Sequence, residues 1–265
     1  MTIYYEEYGD KDAPLIVFLH GGGVSGWMWE KQISYFCQRY HCVVPDLPGH
    51  GKSCEDTYFS MKQAAVQIID LIDKISNNRK VSMIGFSLGA QIIVQIVSMR
   101  PTLIDTAVII SALVRPMPSL NKWIAPTIKL ASPLIANRTF SKIQAKTMYI
   151  PKEKFQQYYD ESCRMPPQTL ISVLKENMSF AIPENFKHVK TSMLIIVGEK
   201  EKSMMKKSAN DLVASNQHCE GMVIADIGHG ISLAKPTLFN EIVDNWLGAR
   251  HSNNSDDSDI YQPQS

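Results

Sequence analysis

The feature that most constrains this chain is Val81-Ser82-Met83-Ile84-Gly85-Phe86-Ser87-Leu88-Gly89-Ala90, a buried-strand pattern that runs into GxSxG and directly into an apolar helical pattern. The motif alone is common by chance; strand, motif and helix in immediate succession are not. A serine in so tight a turn takes a strained backbone conformation with its hydroxyl projecting, while strand and helix pass so closely that flanking side chains would collide. Gly85 and Gly89 meet that steric demand. The helix beginning at Leu88 sets the positive end of its dipole beneath the turn. A packing or phosphate-binding turn is the competing reading of such a junction, but neither a Walker lysine nor GxGxxG accompanies it.

The rest of the chain supplies the frame such a turn needs. Leu15–Leu19, Cys42–Val44 with Pro45, Val81–Ile84, Thr106–Ile110, Met193–Val197 and Met222–Ala225 read as strands, most of them apolar runs without alternation. Such runs belong to parallel strands covered on both faces. Helical spacing fills the intervals: Ser60–Ile75, Leu88–Met99 ending before Pro101, and a closing helix over Thr237–Trp246. The 265 residues allow two domains or one large α/β unit with an insertion. From about Ala112 to Val189 the rhythm breaks into prolines and apolar helical patches with no convincing strand, which predicts a helical insertion the size of a small lid. The expected organisation is a discontinuous α/β core, 1–111 and 190–250, a helical cap over 112–189, and a polar, low-complexity, disordered tail over 251–265.

A serine hydroxyl needs a base, and an acyl-transfer intermediate needs donors for its oxyanion. His20-Gly21-Gly22-Gly23 follows the strand Leu15–Leu19, so its glycine N–H groups can approach a substrate carbonyl; Gly22 is favoured, with Gly23 second. The matching donor is the N–H of Leu88, directly after the serine. His20 reads as an orienting residue of this loop. Ile227-Gly228-His229-Gly230 follows the last strand, so His229 stands at a strand's carboxyl end facing the crevice where open α/β sheets carry ligands. The orienting acid belongs on a loop between these two in chain order, and Met193–Glu201 offers Glu199 and Glu201; the residues alone leave both open. Asp226, three residues before His229, is expected to point elsewhere.

Taken together, HGGG at His20–Gly23, PDLPGHGKS at Pro45–Ser53, GFSLG at Gly85–Gly89, GEKE at Gly198–Glu201 and GHG at Gly228–Gly230 resemble the α/β-hydrolase superfamily, from Tyr4 to about Gly248. The resemblance implies an α/β-hydrolase fold: a mostly parallel twisted sheet, helices on both faces and an inserted helical cap. It also implies a catalytic Ser, acid, His order, here Ser87, Glu201 and His229, and it selects Glu201 over Glu199. Most members carry Asp there; a Glu is one methylene longer, so its loop must sit farther back. Asp46 in PDLPGHG looks structural by the same resemblance. With little sequence before a strand near Tyr4, the antiparallel edge strand common in the family is expected to be missing.

A serine in the turn disfavours reactions that need a carboxylate there, and leaves acyl transfer to water. The expectation is cleavage of a carboxylic ester, thioester or lactone with a small or medium apolar acyl group, received by cap residues such as Trp123, Ile124, Ile128, Leu130, Met148, Tyr149, Phe155, Tyr158 and Tyr159. Carbon–carbon bond hydrolysis, perhydrolysis or lyase chemistry on the same three residues is the alternative, as is a small-molecule sensor that retains them. No cofactor and no metal are expected. Lys+Arg 27 against Asp+Glu 26 gives no broad electrostatic case for nucleic acid or membrane. The expected partner is therefore a small-molecule substrate only. Five cysteines without a CxxC pair, a polar acidic start and no apolar run of membrane-spanning length predict a cytoplasmic protein with reduced thiols.

Overall fold

The computed structural model describes residues 3–54, 58–77 and 79–253. Seven strands form one sheet: β1 (Tyr5–Tyr8), β2 (Leu15–Leu19), β3 (His41–Pro45), β4 (Val81–Phe86), β5 (Thr106–Ile110), β6 (Ser192–Gly198) and β7 (Cys219–Ile224). Their spatial order is β1-β3-β2-β4-β5-β6-β7. Every pairing from β3 to β7 is parallel. Along β2, Leu15, Val17 and Leu19 enter the core on one face and Ile16 and Phe18 enter the core on the other. Both faces are dry, which is why the strand reads as an uninterrupted apolar run.

The helices divide between these faces. On one lie α2 (Met61–Ile75), α3 (Leu88–Met99) and α8 (Ser203–Ser215), and on the other α1 (Glu30–Phe36) and α10 (Pro236–Asn253). A short helix, α9 (Ile231–Ala234), precedes α10. The Ser60 side chain caps α2 by accepting from the Gln63 N–H, and Ala64, Ala65, Ile68, Leu71 and Ile72 form its buried face. Between β5 and β6 the chain folds into α4 (Pro118–Ile135), α5 (Arg138–Thr147), α6 (Phe155–Arg164) and α7 (Pro167–Ser179). Prolines 118 and 167 open two of these helices, at positions where a missing N–H costs nothing.

Three expectations change. An antiparallel edge strand is present: β1 runs against β3 with Tyr5 opposite Pro45 and Tyr8 opposite Cys42. Four residues suffice, since an edge strand needs one partner, and its half-exposed YEEY sequence gave no apolar signal. The last strand begins at Cys219 rather than Met222, because an edge strand carries exposed residues such as Glu220 that blur its pattern. The closing helix runs on through Asn253. The expected tail beyond it, 254–265, lies outside the described residues.

The order of strands places the site. β3 lies on one side of β2 and β4 on the other, so the connections diverge at β2 and β4, the switch point above which ligands bind in open α/β sheets. There the backbones of β2, β4 and α3 nearly touch. A Cβ on Gly89 would stand 2.4 Å from the Leu19 carbonyl oxygen, and one on Gly85 would stand 2.7 Å from the Gly89 oxygen. Gly89→Ala is therefore expected to lower unfolding free energy by about 1–3 kcal/mol, as overpacking of a core does. Chemical denaturation checks this, and an unchanged midpoint would contradict the close approach.

Candidate active site

Ser87 sits between β4 and α3 with φ 52 and ψ −108, a conformation that costs a non-glycine residue about 1–3 kcal/mol. Two backbone bonds hold it there: its N–H donates to the Ile110 carbonyl at 2.8 Å, and its carbonyl accepts from the Gln91 N–H at 3.1 Å. From Val81 to Val94, Ser87 alone is not buried. The strained turn thus lifts one hydroxyl out of an apolar core.

The glycine loop after β2 is braced from below. His20 is fully buried, its Nε2 accepts from the Leu47 N–H at 2.8 Å and its Nδ1 lies 2.8 Å from the Gly21 oxygen. This network assigns the proton to Nδ1, and burial pushes the imidazole down to about 4, so His20 stays neutral and holds the loop. The His20 carbonyl in turn accepts from the Gly89 N–H at 3.1 Å, tying the loop to the first turn of α3. Gly22 lies beside Leu88, whose Cδ2 would be 3.8 Å from a Cβ on the glycine. Among the described residues, neither the Gly22 nor the Leu88 N–H has a protein acceptor. Asp46 fixes the neighbouring loop by accepting from the Gly26 and Lys52 N–H groups, both at 2.8 Å, which is the structural part expected of it.

Glu201 and His229 meet. His229 Nδ1 lies 2.8 Å from Glu201 Oε2, and the other carboxylate oxygen accepts from Ser111 Oγ at 2.6 Å and from the Gly198 N–H at 2.9 Å. Burial is the largest single influence on Glu201 and resists its charge, yet the three donors outweigh it and hold the carboxyl below the usual range. Glu199 turns outward and accepts from the Asp226 N–H at 3.0 Å, so it supports the turn before His229 without touching the ring. Asp226 pairs with Lys200 at 3.0 Å, away from the site. The His229 ring packs on Phe86, centroids 4.7 Å apart, beside Ser87; among the described residues no hydrogen bond joins Ser87 to His229.

Sequence reasoning missed several participants. Ser111 follows β5 with φ 55, an orientation that brings its hydroxyl to Glu201. Tyr149, expected in the acyl pocket, instead reaches the histidine loop, where its hydroxyl accepts from the Gly228 N–H at 3.2 Å. Glu161 on α6 accepts from Ser25 Oγ at 3.0 Å and Trp27 Nε1 at 2.9 Å, joining the inserted helices to the chain just past Gly23. No local pattern announces these roles, because each partner is distant in sequence.

A cavity of about 230 Å³ lies under the inserted helices, lined by Gly23, Val24, His50, Ile128, Met148 and Tyr158 among others. At about 30 Å³ per water-sized group it holds roughly eight non-hydrogen groups. Ser87 and His229 are not in its lining; it begins where the glycine loop leaves Gly22. Of the expected pocket residues, Ile128, Met148 and Tyr158 face it, whereas Trp123 and Leu130 are exposed and Phe155 stacks on Tyr159, centroids 6.1 Å apart.

The sheet order and the helices on both of its faces define a class of fold that known proteins share. A family model described as "Alpha/beta hydrolase family" matches residues 16–242, and the chain belongs to that family. RutD of Stutzerimonas stutzeri, named as a candidate carbamate hydrolase, is 24% identical over 255 residues, covering 91% of this chain and 95% of the relative. Monoacylglycerol lipase abhd6-B of Xenopus laevis is 22% identical over 288 residues, covering 95% of this chain and 84% of its own. Among solved structures, the enol-lactonase from Burkholderia xenovorans LB400 superposes with a TM-score of 0.79 at 15% identity, covering 93% of this chain and 96% of that one.

Because the folded-state pKa of Glu201 is depressed, its ionisation stabilises the fold above the ordinary value of 4.5, and that contribution disappears as pH falls through the depressed value. Glu201→Gln should therefore unfold at a lower temperature than wild type near neutral pH, with the gap closing below pH 4.5. Thermal melts across this range check the sign, and a gap that widens on acidification would contradict it.

Proposed function

We propose that the protein is a serine hydrolase that cleaves an ester-type bond (carboxylic ester, thioester or lactone) of a small or medium apolar acyl substrate through an acyl-enzyme on Ser87. The observation that carries this reading is the buried Glu201 carboxylate held on His229 Nδ1 at 2.8 Å, next to a strained and partly exposed serine. That bond places the imidazole proton on Nδ1 and leaves the Nε2 lone pair for the hydroxyl proton of Ser87.

The steps follow from these groups. Ser87 Oγ attacks the carbonyl carbon as its proton passes to His229, and the developing oxyanion is received by the Gly22 and Leu88 N–H groups. Collapse breaks the bond to the leaving oxygen or sulfur, which departs with the proton from His229. A water then gives a proton to His229 and attacks the acyl carbon; Ser87 recovers its proton as the carboxylic acid leaves. Glu201 stays ionised throughout and balances the imidazolium that forms in each half-reaction.

The inserted helices act in this proposal as a cap, and the apolar cavity beneath them receives the acyl group. Its size favours chains of up to about eight non-hydrogen atoms. Curated relatives named as hydrolases or as a lipase support hydrolysis as the reaction class.

Labelling by a fluorophosphonate probe tests the nucleophile: wild type should react and Ser87→Ala should not, and a folded wild type that stays unlabelled would sink the assignment. Glu201→Gln should lower kcat by about 10³–10⁴, the scale on which loss of the orienting carboxylate acts, while Glu199→Gln stays within about threefold. The opposite ranking would transfer the role to Glu199. On a nitrophenyl ester series, kcat/KM should rise with acyl length and fall beyond about eight carbons. Turnover undetectable across the whole series would remove the ester reading.

A further inference from the structure

Between Asp105 and Glu153 the sequence contains no Asp or Glu but seven Lys or Arg residues. Net charge over the whole chain conceals this, because the remainder is acidic to nearly the same extent. The segment contains α4 and α5, and the structure shows what the cations surround.

Helix α4 has three faces. Ile128, Ala131 and Ile135 turn inward and line the cavity. Leu120, Trp123, Leu130 and Leu134 form a second row, at helical spacings of three and four around Thr127, and this row is open to solvent: Trp123 is 67% exposed and Leu130 85%. On the third side stand Lys122 and Lys129, both exposed. Helix α5, which packs on α4, carries an exposed Ile143 and the exposed Lys142 and Lys146, Lys142 Nζ lying 5.9 Å from the centre of the Phe155 ring. Large apolar side chains gathered on one exposed surface mark a site of interaction, whereas scattered ones need no explanation.

We propose that the α4–α5 face docks on an anionic lipid surface, with the Leu, Trp and Ile side chains entering the boundary between headgroups and acyl chains and the lysines lying over the headgroups. Charge selects this occupant. A second copy packed through this face would offer the lysines no acid from α4 or α5 to meet them. An anionic bilayer supplies the complementary charge, and apolar and basic side chains together are what an interfacial helix requires. The association is peripheral, since no helix among the described residues is long and apolar enough to cross a membrane. The expectation of no membrane partner came from a balance averaged over the chain; the separation is local. If the ester reading also holds, the geometry gives docking a purpose, because one helix carries the lipid-facing row and the cavity wall, and an acyl substrate would pass from the surface to the pocket around α4.

Co-sedimentation of the full-length chain with phosphatidylcholine vesicles, with and without phosphatidylglycerol, tests this. Binding to the anionic vesicles should be at least about tenfold tighter, should weaken as salt is raised, and should shift the emission of Trp123 to the blue. Trp123→Ser with Leu130→Ser, and separately Lys122→Glu with Lys142→Glu, should each weaken binding at least about tenfold while leaving hydrolysis of a short soluble ester unchanged. Unchanged circular dichroism shows that these variants fold. Ser87→Ala should bind vesicles like wild type, so docking and hydrolysis fail separately. Equal affinity for neutral and anionic vesicles, binding indifferent to both double variants, or a dimer that Leu130→Ser dissociates in a protein that ignores vesicles would each overturn the proposal.

Discussion

The serine and the glycine loop beside it depend on how closely α3 crosses β4 and the end of β2. At Gly89 there is no room for a Cβ against the Leu19 carbonyl, and at Gly85 none against Gly89 itself. The crossing forces the one intervening serine into a positive φ and, through the bond from the Gly89 N–H to the His20 carbonyl, fastens the glycine loop to the same turn. A single steric constraint therefore sets the nucleophile candidate, the Leu88 N–H and the neighbourhood of the Gly22 N–H. Their relative positions depend on backbone contact, which is stiffer than any side-chain arrangement and suits groups that must not reorganise during reaction.

The acid–histidine pair is held by a different means. A carboxylate as buried as Glu201 is costly unless its oxygens are satisfied, and here they are divided. Oε1 takes the Ser111 hydroxyl and the Gly198 N–H, which leaves Oε2 directed at His229 Nδ1. Glutamate has one more rotatable bond than aspartate, and a floppier acid would orient the ring less well. The two donors on Oε1 remove that freedom, and the left-handed backbone of Ser111 is the strain that makes the first of them available. Strain accordingly recurs around the site: Ser87, Ser111, Tyr149 and Asp226 all have positive φ and all lie at or beside the three loops that converge there.

What could be read in the sequence was what local physics dictates. Leu15–Leu19, Thr106–Ile110 and Leu88–Met99 have the bounds their patterns indicated, because a buried strand or apolar helix needs only its own residues and a stop signal. Ser87 stood out because its turn needs a left-handed backbone, and His229 and the glycines because they cluster at the ends of strands. The choice between Glu199 and Glu201 was not legible from residues alone, since both follow the same strand; the difference lies in which side of the turn each faces, and that is fixed by Gly198, Ser111 and Asp226 from three separate strand ends. The edge strand Tyr5–Tyr8 was missed for a related reason: its pairing partner β3 lies far along the chain, with Tyr5 opposite Pro45 and Tyr8 opposite Cys42, and its own composition is polar.

Helix α4 illustrates the limit of whole-chain averages most clearly. Its inward residues would be expected in any cap. What distinguishes it is that the apolar row at Leu120, Trp123, Leu130 and Leu134 is directed outward although the inward face already has its own Ile128, Ala131 and Ile135. A helix that needed only to close a pocket would gain nothing from a second apolar face exposed to water. The hydrophobic effect opposes such a face in water, and its place beside a run of lysines without acids is the physical ground for the docking proposed above. In that docking, a lipid interface supplies an apolar interior for the row and an anionic rim for the lysines, which another copy of this chain would not.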